Sequence, residues 1–271
     1  MTEGRVTVVG LGILPARDLT VGAIDALRGA DHSLYLGADA DLGRYLSTVT
    51  GREVKSVNDL YHESARDLDN YERIVARVTE GLVEGRTYAF GVPGSPGVGV
   101  TLVDLLRGRL GSQVEFYPGI SSFDSVLLDI AVDPLERGCV VVDANRLLLF
   151  DFDHDPRLGM LIYHSSSVGT SRTNFREPWR SNRLELLQQK LLTVFGAARR
   201  VEIVRSRSGP QDPGLRLGTT VAELGDHVRS IDYASTLYVY PGPVEGIDES
   251  LLRELMSDAA ITKPRPGTDS P

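Results

Sequence analysis

Two stretches hold the residue types that do chemistry. Residues 61–66 read Tyr-His-Glu-Ser-Ala-Arg, and Tyr71 follows. Two phenols, an imidazole, a carboxylate and a guanidinium this close together can move a proton and hold charge on an oxygen. A polar helix entrance uses the same residue types, so composition alone leaves both readings open. The second stretch is Gly91-Val92-Pro93-Gly94-Ser95-Pro96-Gly97-Val98-Gly99, after the apolar run 87–90. Glycine lets another group approach the backbone, and proline fixes φ and removes an N–H donor. A stiff loop at the carboxyl end of a strand is where open α/β sheets place ligands.

Other motifs are weaker. Gly10-Leu11-Gly12 lacks the third glycine of a dinucleotide fingerprint, Pro15 standing there, so it reads as a tight strand-to-loop turn. Asp151-Phe152-Asp153-His154-Asp155 has Pro156 at the sixth position of a calcium loop and Ile162 at the twelfth, so it reads as an acidic turn. The five histidines form no HxxxH or HExxH pair, and no metal site is expected. Ser165-Ser166-Ser167 lacks a Gly-x-Ser-x-Gly elbow.

The elements that must position these residues follow from patterning. Strands are expected at 5–9, 33–36, 53–56, 87–90 and 113–117. Helices are expected at 20–28, with Thr20 as N-cap, at 42–49, 67–84 and 100–110, and at about 122–130, capped by Ser121 or Ser122. Strands alternating with helices predict a largely parallel sheet. Beyond residue 119 the pattern restarts, with strands at 139–142, 160–164, 200–205 and 236–240 and helices at 181–195 and 221–228. This gives an α/β chain with an N-terminal domain at 1–119, a C-terminal domain at 120–243, and a short helix with a disordered tail at 244–271. The 271 residues carry a net charge of −8, which argues against nucleic acid or an anionic membrane as partner. Cys139 is the single cysteine and reads as a core residue. No membrane-length apolar run or secretory leader is seen, so a cytoplasmic location is expected.

Four segments, Val8-Val9-Gly10-Leu11-Gly12, Gly94-Ser95-Pro96-Gly97-Val98, residues 117–122 (Tyr-Pro-Gly-Ile-Ser-Ser) and Ser235-Thr236-Leu237-Tyr238-Val239, together resemble the tetrapyrrole methylase-like methyltransferases. The resemblance spans about residues 5–243. It implies two α/β domains with parallel and mixed sheets, S-adenosylmethionine in the cleft between them, no metal, and a homodimer. Within that family, residues 124–139, Asp59-Leu60-Tyr61 and Pro210-Gln211-Asp212-Pro213 are similar to the borosin peptide backbone N-methyltransferases. Cofactor contacts implied in this way fall on Gly10, Phe90, Gly94, Ser95, Pro96 and Val98 in the first half. In the second half they fall on Ser121, Ser122, His164, Ser235 and Thr236. Ser95 stands where the family carries an acidic residue or histidine, and His164 where it carries glutamine. The implied catalytic set is Tyr61, Arg66 and Tyr71.

The resemblance implies backbone N-methylation of a peptide. Because the chain ends soon after the catalytic part, the expected acceptor is a separate precursor. One tyrosine, either Tyr71 or Tyr61, would take the amide proton, with Arg66 lowering its pKa. The other tyrosine would hold the amide oxygen. Methylation of a tetrapyrrole or another small molecule, or donor binding without chemistry, are the alternatives.

Overall fold

The structure, a computed structural model, describes residues 4–37, 41–80, 82, 85–172, 174–209, 211–244 and 246–255. The expected disordered tail, Pro210 and part of the end of the 67–84 helix lie outside the described residues.

The first half is a five-stranded parallel sheet. In chain order it runs β1 (Arg5–Gly10), α1 (Pro15–Asp18), α2 (Val21–Gly29), β2 (His32–Tyr35), α3 (Leu42–Thr50) and β3 (Val54–Ser56). It continues with α4 (Asp67–Thr79), β4 (Thr87–Val92), α5 (Thr101–Leu110) and β5 (Val114–Tyr117). The strand order is β3-β2-β4-β1-β5, and every pairing is parallel. Side chains of a strand alternate between faces. Val6 and Val8 of β1 join Tyr88, Phe90 and Val92 of β4 under α4 and α5. Val9 and Ala89 turn to the other face, under α2 and α3. Each such buried aliphatic or aromatic side chain contributes ~1.5–3 kcal/mol. Thr20 caps α2, its hydroxyl accepting from the Ala23 N–H at 3.1 Å, as expected.

The second half runs α6 (Ser122–Ile130), α7 (Pro134–Arg137), β6 (Cys139–Asp143), α8 (Ala144–Leu149), β7 (Gly159–Tyr163), α9 (Leu184–Phe195), β8 (Arg200–Arg205), β9 (Leu215–Thr220) and β10 (Thr236–Val239), followed by α10 (Glu249–Leu255). Its sheet has the order β6-β7-β10-β8-β9. The β6–β7 pair is parallel and the rest are antiparallel. Ser121, rather than Ser122, caps α6 through a reciprocal capping box with Asp124. The 221–228 helix is corrected: the chain makes a 3-10 turn at Leu224–Ser230 instead. β9 was not anticipated, because Leu215-Arg216-Leu217-Gly218 reads as an interrupted loop until β8 supplies a hairpin partner.

All five parallel strands end on one edge, so the loops after β1, β3, β4 and β5 gather there. In the second sheet, the ends of β6, β7 and β8 and the starts of β9 and β10 share one edge, because β9 and β10 run against the other three. These two edges carry the candidate site.

Candidate active site

Connections from β1 and β4 leave in opposite directions along the sheet, which in open α/β folds opens a crevice between their carboxyl ends. Here the base of that crevice is zipped. Gly12 and Gly94 exchange backbone hydrogen bonds of 3.1 and 2.9 Å, and Leu11 N–H reaches the Val92 carbonyl at 2.9 Å. A Cβ on Gly10 would lie 2.5 Å from both Gly119 N and Gly94 O. A Cβ on Gly119 would also lie 2.5 Å from Gly94 O. Gly10, Gly94 and Gly119 therefore let three backbones touch one another. The space a Gly10 side chain would take is filled by the chain's own Gly119, which leaves its main chain for the expected cofactor contact.

The open part of the loop lies further on. A Cβ at Gly97 would meet nothing nearer than Ser95 Oγ at 3.9 Å. Gly99, at φ +67°, faces Cε1 and Nε2 of His164, each 3.4 Å from where its Cβ would be. His164 itself has φ +56°, and its Nδ1 lies 2.7 Å from Asp143 Oδ2. A carboxylate only accepts, so the proton sits on Nδ1 and Nε2 is left for the cleft. Burial pushes the Asp143 carboxyl up, but the His164 bond and the Arg146 N–H outweigh it and hold it below the usual range.

The remaining expected cofactor residues divide by burial. Pro96 is buried and Val98 half-buried, its N–H turning back to the Ser95 carbonyl at 3.2 Å. Phe90 is fully buried under α4 and α5, so its ring belongs to the core. Ser121 is buried by its cap, and Ser122 is half-buried beside it. Ser235 and Thr236 are also buried. The Ser235 hydroxyl is held by Asp232 Oδ1 at 2.9 Å, and its carbonyl accepts from Ser165 Oγ at 3.3 Å. These serines brace the mouth of the cleft.

The loop after β3 brings the tyrosines together. Tyr61 and Tyr71 have ring centroids 6.3 Å apart, edge to face. Tyr61 Oη donates to Asp67 Oδ1 at 2.9 Å. Burial, then the charge of Asp67, pushes the Tyr71 phenol up to about 12, with a Tyr61 hydrogen bond pulling the other way. Arg66 is not the charge that acts on Tyr71. It is half-exposed and pairs with Asp69 at 3.3 Å, so the expected lowering of a tyrosine pKa by Arg66 is corrected in sign and in cause. Fully buried Asn70 fixes the loop. Its Oδ1 accepts from His62 N–H at 2.8 Å, and its Nδ2 donates to the His62 carbonyl at 3.1 Å. Arg73 ties Asn70 to the Leu60 carbonyl.

A strap from the second half closes the far wall. Asp67 N–H donates to the Ser171 carbonyl at 2.9 Å, Arg172 Nη1 to the Ser64 carbonyl at 2.7 Å, and Arg176 N–H to Glu63 at 3.2 Å. Phe175 packs tilted against Tyr61, with ring centroids 4.8 Å apart, and edge to face against Tyr233 at 4.9 Å. Arg205, bonded to Asp212 at 2.6 Å and Asp232 at 3.1 Å, steadies the turn carrying Tyr233. Sequence reasoning missed Asp67, Asn70, Phe175 and Tyr233. Asp67 was legible only as a helix start, and Phe175 sits in a stretch without periodicity. A separate recess lined by Asp31, His32, Arg52, Arg77 and Arg86 lies at the opposite, amino edge of the first sheet, away from these groups. Among the described residues, no cluster of His, Cys, Asp and Glu is placed to hold a metal ion, and no helix is long and apolar enough to cross a membrane.

A parallel-sheet lobe facing a mixed-sheet lobe across such an opening is the fold of a methyltransferase class. Residues 5–152 match the family model of tetrapyrrole (corrin/porphyrin) methylases, and the chain belongs to that family. It is 26% identical over 244 residues to a methyltransferase/ribosomally synthesized type II borosin cyclic peptide precursor of Phlebiopsis gigantea, covering 88% of this chain and 43% of the relative. The chain spans 30 to 66% of the length of three such borosin relatives. Among solved structures it resembles uroporphyrin-III-C-methyltransferase from Thermus thermophilus, with TM-score 0.61, 18% identity, 89% of this chain and 93% of that one. The same enzyme complexed with S-adenosyl homocysteine matches at TM-score 0.58 and 16% identity, covering 88% of this chain and 97% of that one. The expected fold class and the resemblance to both groups are borne out.

Proposed function

We propose that this chain transfers a methyl group from S-adenosylmethionine to backbone amide nitrogens of a peptide. The donor, when bound, supplies an electrophilic methyl group on a sulfonium. Its site fits the open face of Gly97 and Gly99, the Ser95 hydroxyl and the His164 Nε2, a cradle that a Cβ at either glycine would narrow. The observation that carries the acceptor half is the pair of phenols in a loop at the same edge of the first sheet, one of them hydrogen-bonded to a carboxylate at 2.9 Å.

An amide nitrogen is a poor nucleophile because its lone pair is delocalised, as the rotation barrier of roughly 18–20 kcal/mol reflects. Its N–H must be given up as it is methylated, and the carbonyl oxygen gathers charge. Tyr71, titrating at about 12, keeps its proton at neutral pH. It is therefore the donor suited to the amide oxygen. Tyr61 takes the amide proton. Arg66, paired with Asp69, has no part in this reading. The resemblance of 23 to 26% to borosin relatives supports a peptide acceptor.

Intact mass spectrometry tests the proposal. The full chain is incubated with S-adenosylmethionine and small proteins from the native host. Gains in steps of one methylene mass on a co-purifying protein are expected, and gains on this chain itself would place the acceptor on the same polypeptide. Donor binding without any peptide gain, or methylation of a porphyrinoid instead, would overturn the peptide reading.

A second copy is proposed on the edge strand β6 and the segment that follows it, where Val141 of β6, Leu149 of α8, and Phe150 and Phe152 beyond it stand 44–78% exposed. An apolar patch of this kind favours a partner surface. Sedimentation of the pure chain as a monomer at micromolar concentration would refute the homodimer.

A further inference from the structure

We propose that Asp143 fixes the ring proton of His164 so that Nε2 accepts a hydrogen bond from an N–H or O–H of S-adenosylmethionine; this rests on the methyl-donor half of the reading above. His164 directly follows β7 and stands at φ +56°. A residue with a side chain keeps that conformation only where its surroundings impose it, and such residues gather at functional sites. Here the surroundings are explicit. The His164 carbonyl accepts from Ser167 N–H at 3.1 Å and from Ser167 Oγ at 3.2 Å. Asn145 of α8 donates to the Ser167 carbonyl at 3.0 Å, and Asn182 to the Ser165 carbonyl at 2.9 Å. The turn so held sets the imidazole against the glycine loop of the other lobe, with Cε1 and Nε2 each 3.4 Å from where a Gly99 Cβ would stand.

Asp143 ends β6 and caps α8. Its Oδ1 accepts from the Arg146 N–H at 3.0 Å, and its Oδ2 lies 2.7 Å from His164 Nδ1. Both oxygens are committed to donors, so Nδ1 carries the hydrogen and Nε2 keeps its lone pair. Among the described residues, no protein group hydrogen-bonds to Nε2. The methyl donor offers hydrogens at its ammonium, its adenine amino group and its ribose hydroxyls. An imidazole of this tautomer can take any one of these, and it cannot donate to the donor's carboxylate. A glutamine at the same place would donate as well as accept and would need no partner to choose for it. The histidine does need one, and Asp143 is placed to be it.

The charged and titratable neighbours of this pair have other engagements. Arg146 meets Asp143 through its backbone, while its guanidinium lies 5.9 Å over the Phe150 ring. Tyr163, the preceding residue, packs with the α6 cluster. In the Pro178–Arg180 turn, which packs on the Ser165–Ser167 turn, Arg180 pairs with Glu177 at 2.5 Å. Asp143 acts through His164, so it is a positioning residue, and His164 is the group in contact with the methyl donor.

The test uses the full chain, calorimetry with S-adenosylhomocysteine, and nitrogen NMR of protein labelled in its histidine rings. In Asp143→Asn the amide oxygen stays on the Arg146 N–H, because the helix cap demands an acceptor there. The amide NH₂ then faces His164 Nδ1 and moves the ring proton to Nε2. A donor now meets a donor, and affinity should fall roughly tenfold or more. The His164 resonances are identified by their loss in His164→Gln. They should show Nε2 unprotonated in the ligand-free wild type and protonated in Asp143→Asn. In a His164→Gln background, adding Asp143→Asn should change affinity by less than about threefold. A role for Asp143 as a helix cap alone would lower affinity equally in both backgrounds. That result, an unchanged affinity in Asp143→Asn, or a wild-type Nε2 that carries the proton would overturn the proposal. If wild type takes up no S-adenosylhomocysteine, the methyl-donor reading fails and the ligand assignment with it, and the ring spectrum alone decides for or against the coupling of Asp143 to His164.

Discussion

The two sides of the cleft are held in different ways. On one side Gly10, Gly94 and Gly119 bring three main chains within van der Waals reach. On the other the tyrosine loop is held from outside, by Asn70, Arg73 and a strap from the distant lobe. A main-chain seam has no rotamers to change, so it fixes a position. A loop held by side chains can be retuned one bond at a time. A site that keeps one ligand and varies another is expected to place the constant ligand on the first kind of wall and the variable one on the second.

Substitutions can break or sharpen that contrast. The largest effect is expected on the acceptor side. Tyr61→Phe and Tyr71→Phe should each reduce turnover by roughly 10²–10⁴-fold while calorimetry finds donor-product binding intact. Wild-type rates in both would remove the tyrosines from the chemistry. Next is the seam. Gly119→Ala forces a Cβ to 2.5 Å from Gly94 O, and chemical denaturation should register a loss of about 3 kcal/mol, the upper end of ordinary overpacking. A change below a few tenths would mean that the three backbones part easily. Asn70→Ala leaves the His62 N–H and carbonyl without their partner and should cost about 2 kcal/mol, with turnover falling before stability does. Tyr71 sets a smaller, pH-dependent term. The folded chain holds that proton to about 12, whereas an unfolded tyrosine releases it near ~10. The folded state therefore binds more protons between those values, and stability falls as pH rises from 10 to 12. Tyr71→Phe should flatten that fall in alkaline unfolding curves. Ser121→Ala, which removes one half of a capping box, should cost about 1 kcal/mol and leave the tyrosine loop untouched.

Much of the fold was legible because burial and periodicity coincide. The β-branched run of β1 and the apolar face of α4 at Ile74, Val75 and Val78 could be read directly. The Thr20 and Ser121 caps were legible from residue type and place. Two kinds of feature were not. β9 depends on its neighbour, since Gly218 weakens any local preference for a strand. The partners of the tyrosines depend on tertiary packing. Arg66 stands beside Asp67 in sequence, yet it turns to Asp69, and the group that meets Tyr61 is the carboxylate. Sequence adjacency suggested a cation where the fold supplies an anion. Phe175 and Tyr233 were out of reach for the same reason, being brought to Tyr61 from the other lobe.

The strap has one practical consequence. Arg176 is 113 positions from Glu63, and Arg172 is 108 from Ser64, yet they fix where α4 begins and so where the Tyr61 hydroxyl stands. A library aimed at new acceptors should diversify Ser171, Arg172 and Phe175 before touching the phenols. Those positions steer the reach of the reacting group while leaving its chemistry in place.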